Sequence, residues 1–268
     1  MKYLPSLPEK NDNVSHNHPL SEFALLSAGL ILFFGIVYLI LGLLVDLAAE
    51  KISYETEAAL FQALSSRVDY FDPQNDDLAE EKQRVQQIVD DLQTCTDLPY
   101  AIQVHIVKSD ETNAIALPGG HIAVFTGLLQ AVPQDNGLAF VLAHELGHFQ
   151  NRDHLRSLGR SLVFYSLSAM LTGGNSSISG LLAPTFGLTA AQYSQARESM
   201  ADRIALDTCN CRFGNINGAV DFFRYIIEMK LDSNLQIFHY FSSHPETQKR
   251  IDELKAYADS KGYQYSSF

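Results

Sequence analysis

The sequence predicts an α+β protein, mostly helical with one small β-sheet or hairpin, in which a single transmembrane helix precedes the folded domain. Three observations predict it. The stretch 23–45 is apolar apart from Ser27, with Glu22 and Asp46 as its nearest charges. At a rise of about 1.5 Å per residue it covers a hydrocarbon core of about 30 Å. Between 100 and 125, short runs rich in β-branched residues flank Pro118, Gly119 and Gly120, as strands flank a turn. Most other segments repeat their apolar residues at helical spacing. A length of 268 residues fits one domain with appendages, divided into a polar tail over 1–22, a transmembrane helix over 23–47 and a domain over 48–268.

The apolar run is expected to remain as a single-pass anchor. It exceeds the usual length of a signal-peptide core, and the segment before it is polar rather than clearly basic. Ala28, Gly35 and Gly42 recur at heptad spacing. Such a stripe permits helix pairing and so a homo-oligomer, although glycines are also simply tolerated in lipid. Lys2 and Lys10 precede the run and Lys51 alone follows it closely, a slight bias toward an N-terminus inside. The domain then lies across the membrane, in the periplasm for a bacterial source.

After the anchor, 55–70 and 77–93 read as packing helices, the second with Val85, Ile88, Val89 and Leu92 on one face. Residues 100–107 read as a strand, and 113–117 and 121–125 as a hairpin about the Pro-Gly-Gly turn. Two short apolar stretches, 162–171 and 181–188, lie within the segment 161–190 on either side of a Gly/Ser-rich interval. Neither spans a bilayer. They read as a lid, a membrane-facing surface or a helical hairpin in the core. Ala219, Phe222, Phe223, Ile226 and Ile227 mark one helix face, and a last helix is expected over 246–258.

A net charge of −12 disfavours nucleic acid and anionic lipid surfaces as partners. The three cysteines fix no compartment, since Cys209 and Cys211 are too close for an easy bridge.

The chemistry is concentrated in His144-Glu145-Leu146-Gly147-His148. On a helix the two histidines stack on one face, where both imidazoles reach one Zn²⁺. Zinc makes water acidic enough for a neighbouring carboxylate to take its proton, which is the role expected of Glu145. The surroundings, 137–143 with Leu146 and Phe149, are apolar, and helices so embedded seldom carry His and Glu without partners. Two residues compete as third ligand. His154 follows His148 by the spacing of the metzincin pattern, with Asn151 where that pattern has a glycine to turn the chain. Glu198, on a second helix, would complete a His₂Glu site with an open position. Asp202 would share its helix face and hold the far nitrogen of a ligating imidazole.

Four segments, in order, resemble the HtpX and CAAX-prenyl-protease family of zinc metallopeptidases: Asn113-Ala-Ile-Ala-Leu-Pro-Gly-Gly120, the His144–His148 motif, Glu198-Ser-Met-Ala-Asp202, and His244-Pro245 with Arg250-Ile251. They span about half of the chain. The resemblance implies a gluzincin fold, Glu198 as third ligand beside His144 and His148, one Zn²⁺ per chain, and His154 as an ordinary histidine. It also places His244 near the metal, in an oxyanion or gating role; Ser243-His244-Pro245 would serve equally as a helix start. Asn113, Ala114, Gly119 and Gly120 are the expected substrate-binding residues, because a strand edge beside the cleft can pair with an extended polypeptide. His105 and His121, alone on their strands, are expected to be structural. The function expected is that of a membrane-anchored zinc endopeptidase acting on protein substrates, in protein quality control. Prenylated substrates are disfavoured, since the prenyl enzymes enclose their site with several membrane helices. A membrane adaptor with structural zinc is the reading from another class, and an intact Glu145 argues against it.

Overall fold

Helix α1, Pro19–Ala49, starts where His18 accepts the Leu20 amide and a proline occupies the first turn. These caps carry it beyond the predicted limits. Its large apolar side chains, among them Leu25, Ile31, Leu32 and Leu43, are exposed along its length. In this computed structural model the described residues are 18–65, 78–172, 194–231 and 248–266. Helix α2, Tyr54–Ser65, and α3, Ala79–Gln93, follow. The predicted continuation of α2 to 70 falls outside the described residues. Val85, Val89 and Leu92 are the buried face of α3, with Ile88 packed beside them.

The sheet has the strand order β1-β3-β2. Strands β2, Ala114–Leu117, and β3, His121–Phe125, form the predicted antiparallel hairpin, and β1, Gln103–Val107, runs parallel to β3. Gly119 and Gly120 both have φ near 80°, which the turn requires and which only glycine adopts at no steric cost. The outer edge of β1 is closed by α3. Gln86 accepts from the Val104 amide and donates to the Ile102 carbonyl, while Gln93 accepts from the Ile102 amide and donates to the Tyr100 carbonyl. Strand β2 is the other edge, and it lies against the helix that carries the His-Glu motif.

A short helix α4, Thr126–Ala131, leads into α5, Asp135–Gln150. Sequence periodicity does not reveal α4, because six residues are too few to establish a repeat. From Gly137 to Phe149 every residue of α5 is buried, as expected of the central helix of a domain. It packs against α3, β2, α6 (Asp153–Thr172), α7 (Gln195–Phe213) and α8 (Asn217–Leu231). Helix α7 ends at Gly214, whose φ of 70° provides a left-handed cap. Helix α9, Gln248–Lys261, packs on α7.

The stretch 162–171 is the second half of α6, a continuous helix lying beside α1, and 181–188 falls outside the described residues. A disulfide joins Cys95, just past α3, to Cys211 in the last turn of α7, leaving Cys209 free and buried. Sequence spacing could not suggest this pair, since the partners are 116 residues apart.

Candidate metal centre

Two helices build the centre. Helix α5 places His144 and His148 one turn apart, with their Nε2 atoms 3.1 Å from each other. Helix α7 brings Glu198 to the same point, its Oε2 lying 3.4 Å from His144 Nε2 and its Oε1 3.5 Å from His148 Nε2. Donor atoms of the three residues all fall within 4.8 Å of one another, and all three side chains are buried. The close approach depends on Gly147, where an added Cβ would come 3.0 Å from Ala201 Cα on α7.

Each imidazole is fixed from behind by a carboxylate. His144 Nδ1 lies 2.9 Å from Asp202 Oδ1, and His148 Nδ1 lies 3.0 Å from Asp153 Oδ2. With a metal bound, the Nδ1 atoms would be the protonated donors, and both Nε2 lone pairs would face the ion together with the Glu198 carboxylate. Electron pairs gathered at one buried point repel unless a cation lies among them, so this donor set fits a metal ion. The local field agrees. Burial alone would depress the His144 pKa, yet the Asp202 and Glu198 carboxylates push it up to about 10. Positive charge is favoured here.

Glu198 and Asp202 of α7 are in turn both bound from α9. Arg250 Nη1 sits 3.0 Å from Glu198 Oε2, while its Nε and Nη2 donate to Asp202 Oδ2 and Oδ1, each at 2.8 Å. Against burial, which raises it, the Asp202 pKa is lowered by the His144 hydrogen bond and the Arg250 charge. Sequence spacing identifies neither Asp153 nor the clamping role of Arg250. An acidic residue just past a histidine-bearing helix is the local signal for the first; for the second, Arg250 stands in the fourth motif, but no spacing names its partners.

Glu145 points to the sheet. Its Oε2 accepts the Ala116 amide at 3.2 Å. The Phe125 amide donates to the Asn113 carbonyl, so the residues of alternate parity, Ala114 and Ala116, turn their backbone groups away from β3. Asn113 is buried and its Oδ1 accepts the Ala114 amide. Gly119 and Gly120 belong to the turn, packed against Ala58 of α2 and the Tyr100 ring. His244 lies outside the described residues.

His154 is directed elsewhere. The chain turns at Arg152, with φ of 54°, rather than at Asn151, which remains helical with φ of −84°. His154 is thereby carried to buried Glu57, with Nε2 3.3 Å from Oε2. Arg152 Nη1 binds the same carboxylate at 2.9 Å and the carbonyls of Ala49 and Ile52. His105 and His121 meet each other instead, Nε2 to Nδ1 at 2.9 Å, with Phe61 stacked on His121.

Comparison with known proteins gives a consistent result. The model of peptidase family M48 matches residues 79–258. The chain is 28% identical to the mitochondrial metalloendopeptidase OMA1 of Schizosaccharomyces pombe over 57% of its own length and 45% of the relative's. It is 29% identical to a protease HtpX homolog of Salinibacter ruber, covering 64% and 73%, and 25% identical to one of Aquifex aeolicus, covering 68% and 74%. The chain thus spans less than half of the yeast relative and about three quarters of the two bacterial ones.

Proposed function

The chain belongs to peptidase family M48, and from that membership we propose that it is a membrane-anchored zinc endopeptidase that hydrolyses protein substrates, in the manner of a quality-control protease. What carries this is the convergence of His144, His148 and Glu198 beside Glu145 and the edge of β2. Zinc bound by these three would supply a Lewis acid that polarises a carbonyl and lowers the pKa of water toward about 7.

The chain's own residues do the rest. Asp202 and Asp153 keep the two imidazoles in the tautomer that presents Nε2. Arg250 lets Glu198 and Asp202 remain charged side by side in a dry interior. Glu145 is the general base: its carboxylate takes the proton from the attacking water and returns it to the leaving amine. An extended polypeptide would meet the outward carbonyls of Ala114 and Ala116 on the edge of β2, whose amides are bound by Asn113 and Glu145, and backbone pairing of this kind demands no particular sequence. With β1 sealed by Gln86 and Gln93, β2 is the edge of the described sheet beside the centre.

The Cys95–Cys211 bridge favours a domain in an oxidising compartment, in keeping with the N-in bias of Lys2 and Lys10. Digestion of casein by wild type and Glu145→Gln tests the proposal. The variant is expected to keep its metal and its fold while losing about 10²–10⁴ of turnover. Comparable hydrolysis by the variant would remove Glu145 from the mechanism. Full activity after chelation and metal analysis would remove zinc.

A further inference from the structure

One buried carboxylate reaches both sides of the metal centre without belonging to it. Glu57, in the first turn of α2, is fully buried. Its Oε2 accepts the Gly119 amide at 3.4 Å and lies 3.3 Å from His154 Nε2, while its Oε1 accepts from Arg152 Nη1 at 2.9 Å. Gly119 belongs to the turn between β2 and β3, and Arg152 directly precedes Asp153, which holds His148. We infer that Glu57, paired with Arg152, is a positioning residue for peptide hydrolysis: it sets β2, the strand whose edge takes the substrate, at its level beside the metal centre. The inference rests on β2 being the edge that receives the polypeptide.

Stability does not account for the pair. A carboxylate and a guanidinium taken out of water recover in mutual attraction little more than their desolvation costs, and well-packed apolar side chains of similar volume hold a fold as well or better. Arg152 adds a second cost. Its φ of 54° lies in the left-handed region, and among the described residues it alone does so with a side chain. Strain of this kind persists where the surrounding contacts over-determine it. At Arg152 they do, because the guanidinium also donates to the carbonyls of Ala49, the last residue of α1, and Ile52, in the link to α2.

What both costs maintain is placement. Helix α2 backs the turn directly, since a Cβ added at Gly119 would come 3.0 Å from Ala58 Cα. One turn further along α2, Phe61 clusters with Leu117 at the end of β2. On the other side the Tyr100 ring lies against Gly120 and stacks on Tyr54 of α2, with centroids 4.4 Å apart. Strand β2 is thus located by α2, and α2 is located by the corner that follows the His-Glu helix. The outward carbonyls of Ala114 and Ala116 move with the turn, and a shift of about 1 Å in substrate placement costs about 10²-fold in rate.

Full-length protein in detergent micelles, with an internally quenched peptide as substrate, provides the test. Glu57→Gln keeps the shape of the side chain and one acceptor but not the ion pair. Glu57→Leu/Arg152→Met replaces the pair with hydrocarbon and leaves neither charge buried alone. Tyr263→Phe, which loses a hydrogen bond to Asp207 in the second half of α7, controls for a general loss of stability. Both Glu57 variants should hold one zinc per chain and unfold cooperatively, while KM rises about 10–100-fold and kcat changes by less. In the Glu145→Gln background, which turns the peptide over slowly, anisotropy of a labelled peptide should show affinity weakened by the same factor. Tyr263→Phe should lower the melting temperature and leave KM unchanged. A lower melting temperature in the Glu57 variants with KM and peptide affinity unchanged overturns the inference, because Glu57 would then hold only the fold. Loss of zinc, failure of both variants to fold, or an equal rise of KM in Tyr263→Phe overturns it as well. Zinc-loaded wild type that neither binds nor hydrolyses the peptide overturns the peptidase reading along with it.

Discussion

At His148 and His144 the imidazoles are held by Asp153 and Asp202, and these carboxylates decide which nitrogen is offered to a metal. Removal of either should leave the ligands in place but loose. Asp153→Asn is expected to weaken zinc binding about 10–100-fold, read by competition with a chromogenic chelator. The choice between Glu198 and His154 has a sharper test. Glu198→Ala should abolish stoichiometric zinc in metal analysis, because it removes one of three donors. His154→Ala should keep the metal and instead lower stability by about 1–3 kcal/mol, because buried Glu57 loses a hydrogen-bond partner. The opposite pattern of metal content would make His154 the ligand. His144, Glu145 and His148 are legible in the sequence because they share little more than one helical turn. Glu198 is legible only through the order of four motifs, and Arg250 as a clamp is not, because its contacts with Asp202 cross 48 residues.

Helix α5 meets α7 where Gly147 faces Ala201, so the pair that carries all three donor residues is spaced by the absence of a side chain. Gly147→Ala gains helix propensity but must push the helices apart. The expected balance is a loss of about 1–3 kcal/mol in denaturant unfolding together with weaker zinc binding. Unchanged zinc affinity would show that α7 does not depend on this contact. The sheet carries a separate pH dependence. Burial holds both His105 and His121 down to about 4, helped by the Lys82 charge on the first and by His105 on the second. In the unfolded chain each titrates near 6.5. As pH falls below about 6.5 the unfolded state takes up protons that the folded state refuses, so stability declines until about pH 4 and this contribution then levels off. The double variant His105→Gln/His121→Gln should show a shallower decline in melting temperature over that window, and parallel curves would dismiss the pair. The strands and most helices were legible from alternation and period. Pairing was less so: the glutamines that seal β1, and the antiparallel match of α6 to α1, depend on contacts between distant segments.

Across the whole molecule, a chain of polar contacts runs from the metal centre to the anchor: His148 to Asp153, Asp153 to Arg197 at 3.4 Å, and Arg197 to Asp46 of α1 at 3.3 Å. The domain is thus fastened to its membrane helix through the same residues that orient a candidate ligand, and the side of the membrane on which it lies becomes a property of the site. Sequence alone gives only Lys2 and Lys10 against Lys51 for that side. The structure adds a cross-link that closes a separation of 116 residues between the ends of α3 and α7. Such a bridge is worth about 2–5 kcal/mol where it forms, and it persists only in an oxidising compartment. The remaining thiol differs in kind, since burial pushes the Cys209 pKa up to about 12 and shields it from reagents in the folded state. These facts make the orientation countable. Bacterial cells expressing the full chain are lysed directly into denaturant with an alkylating reagent, with or without prior reduction, and modified cysteines are counted by mass. With the domain in the periplasm, one cysteine should be alkylated without reduction and three with it, and treatment of the native membrane protein should label none. Three alkylated cysteines without reduction would place the domain in a reducing compartment and reverse the proposed topology.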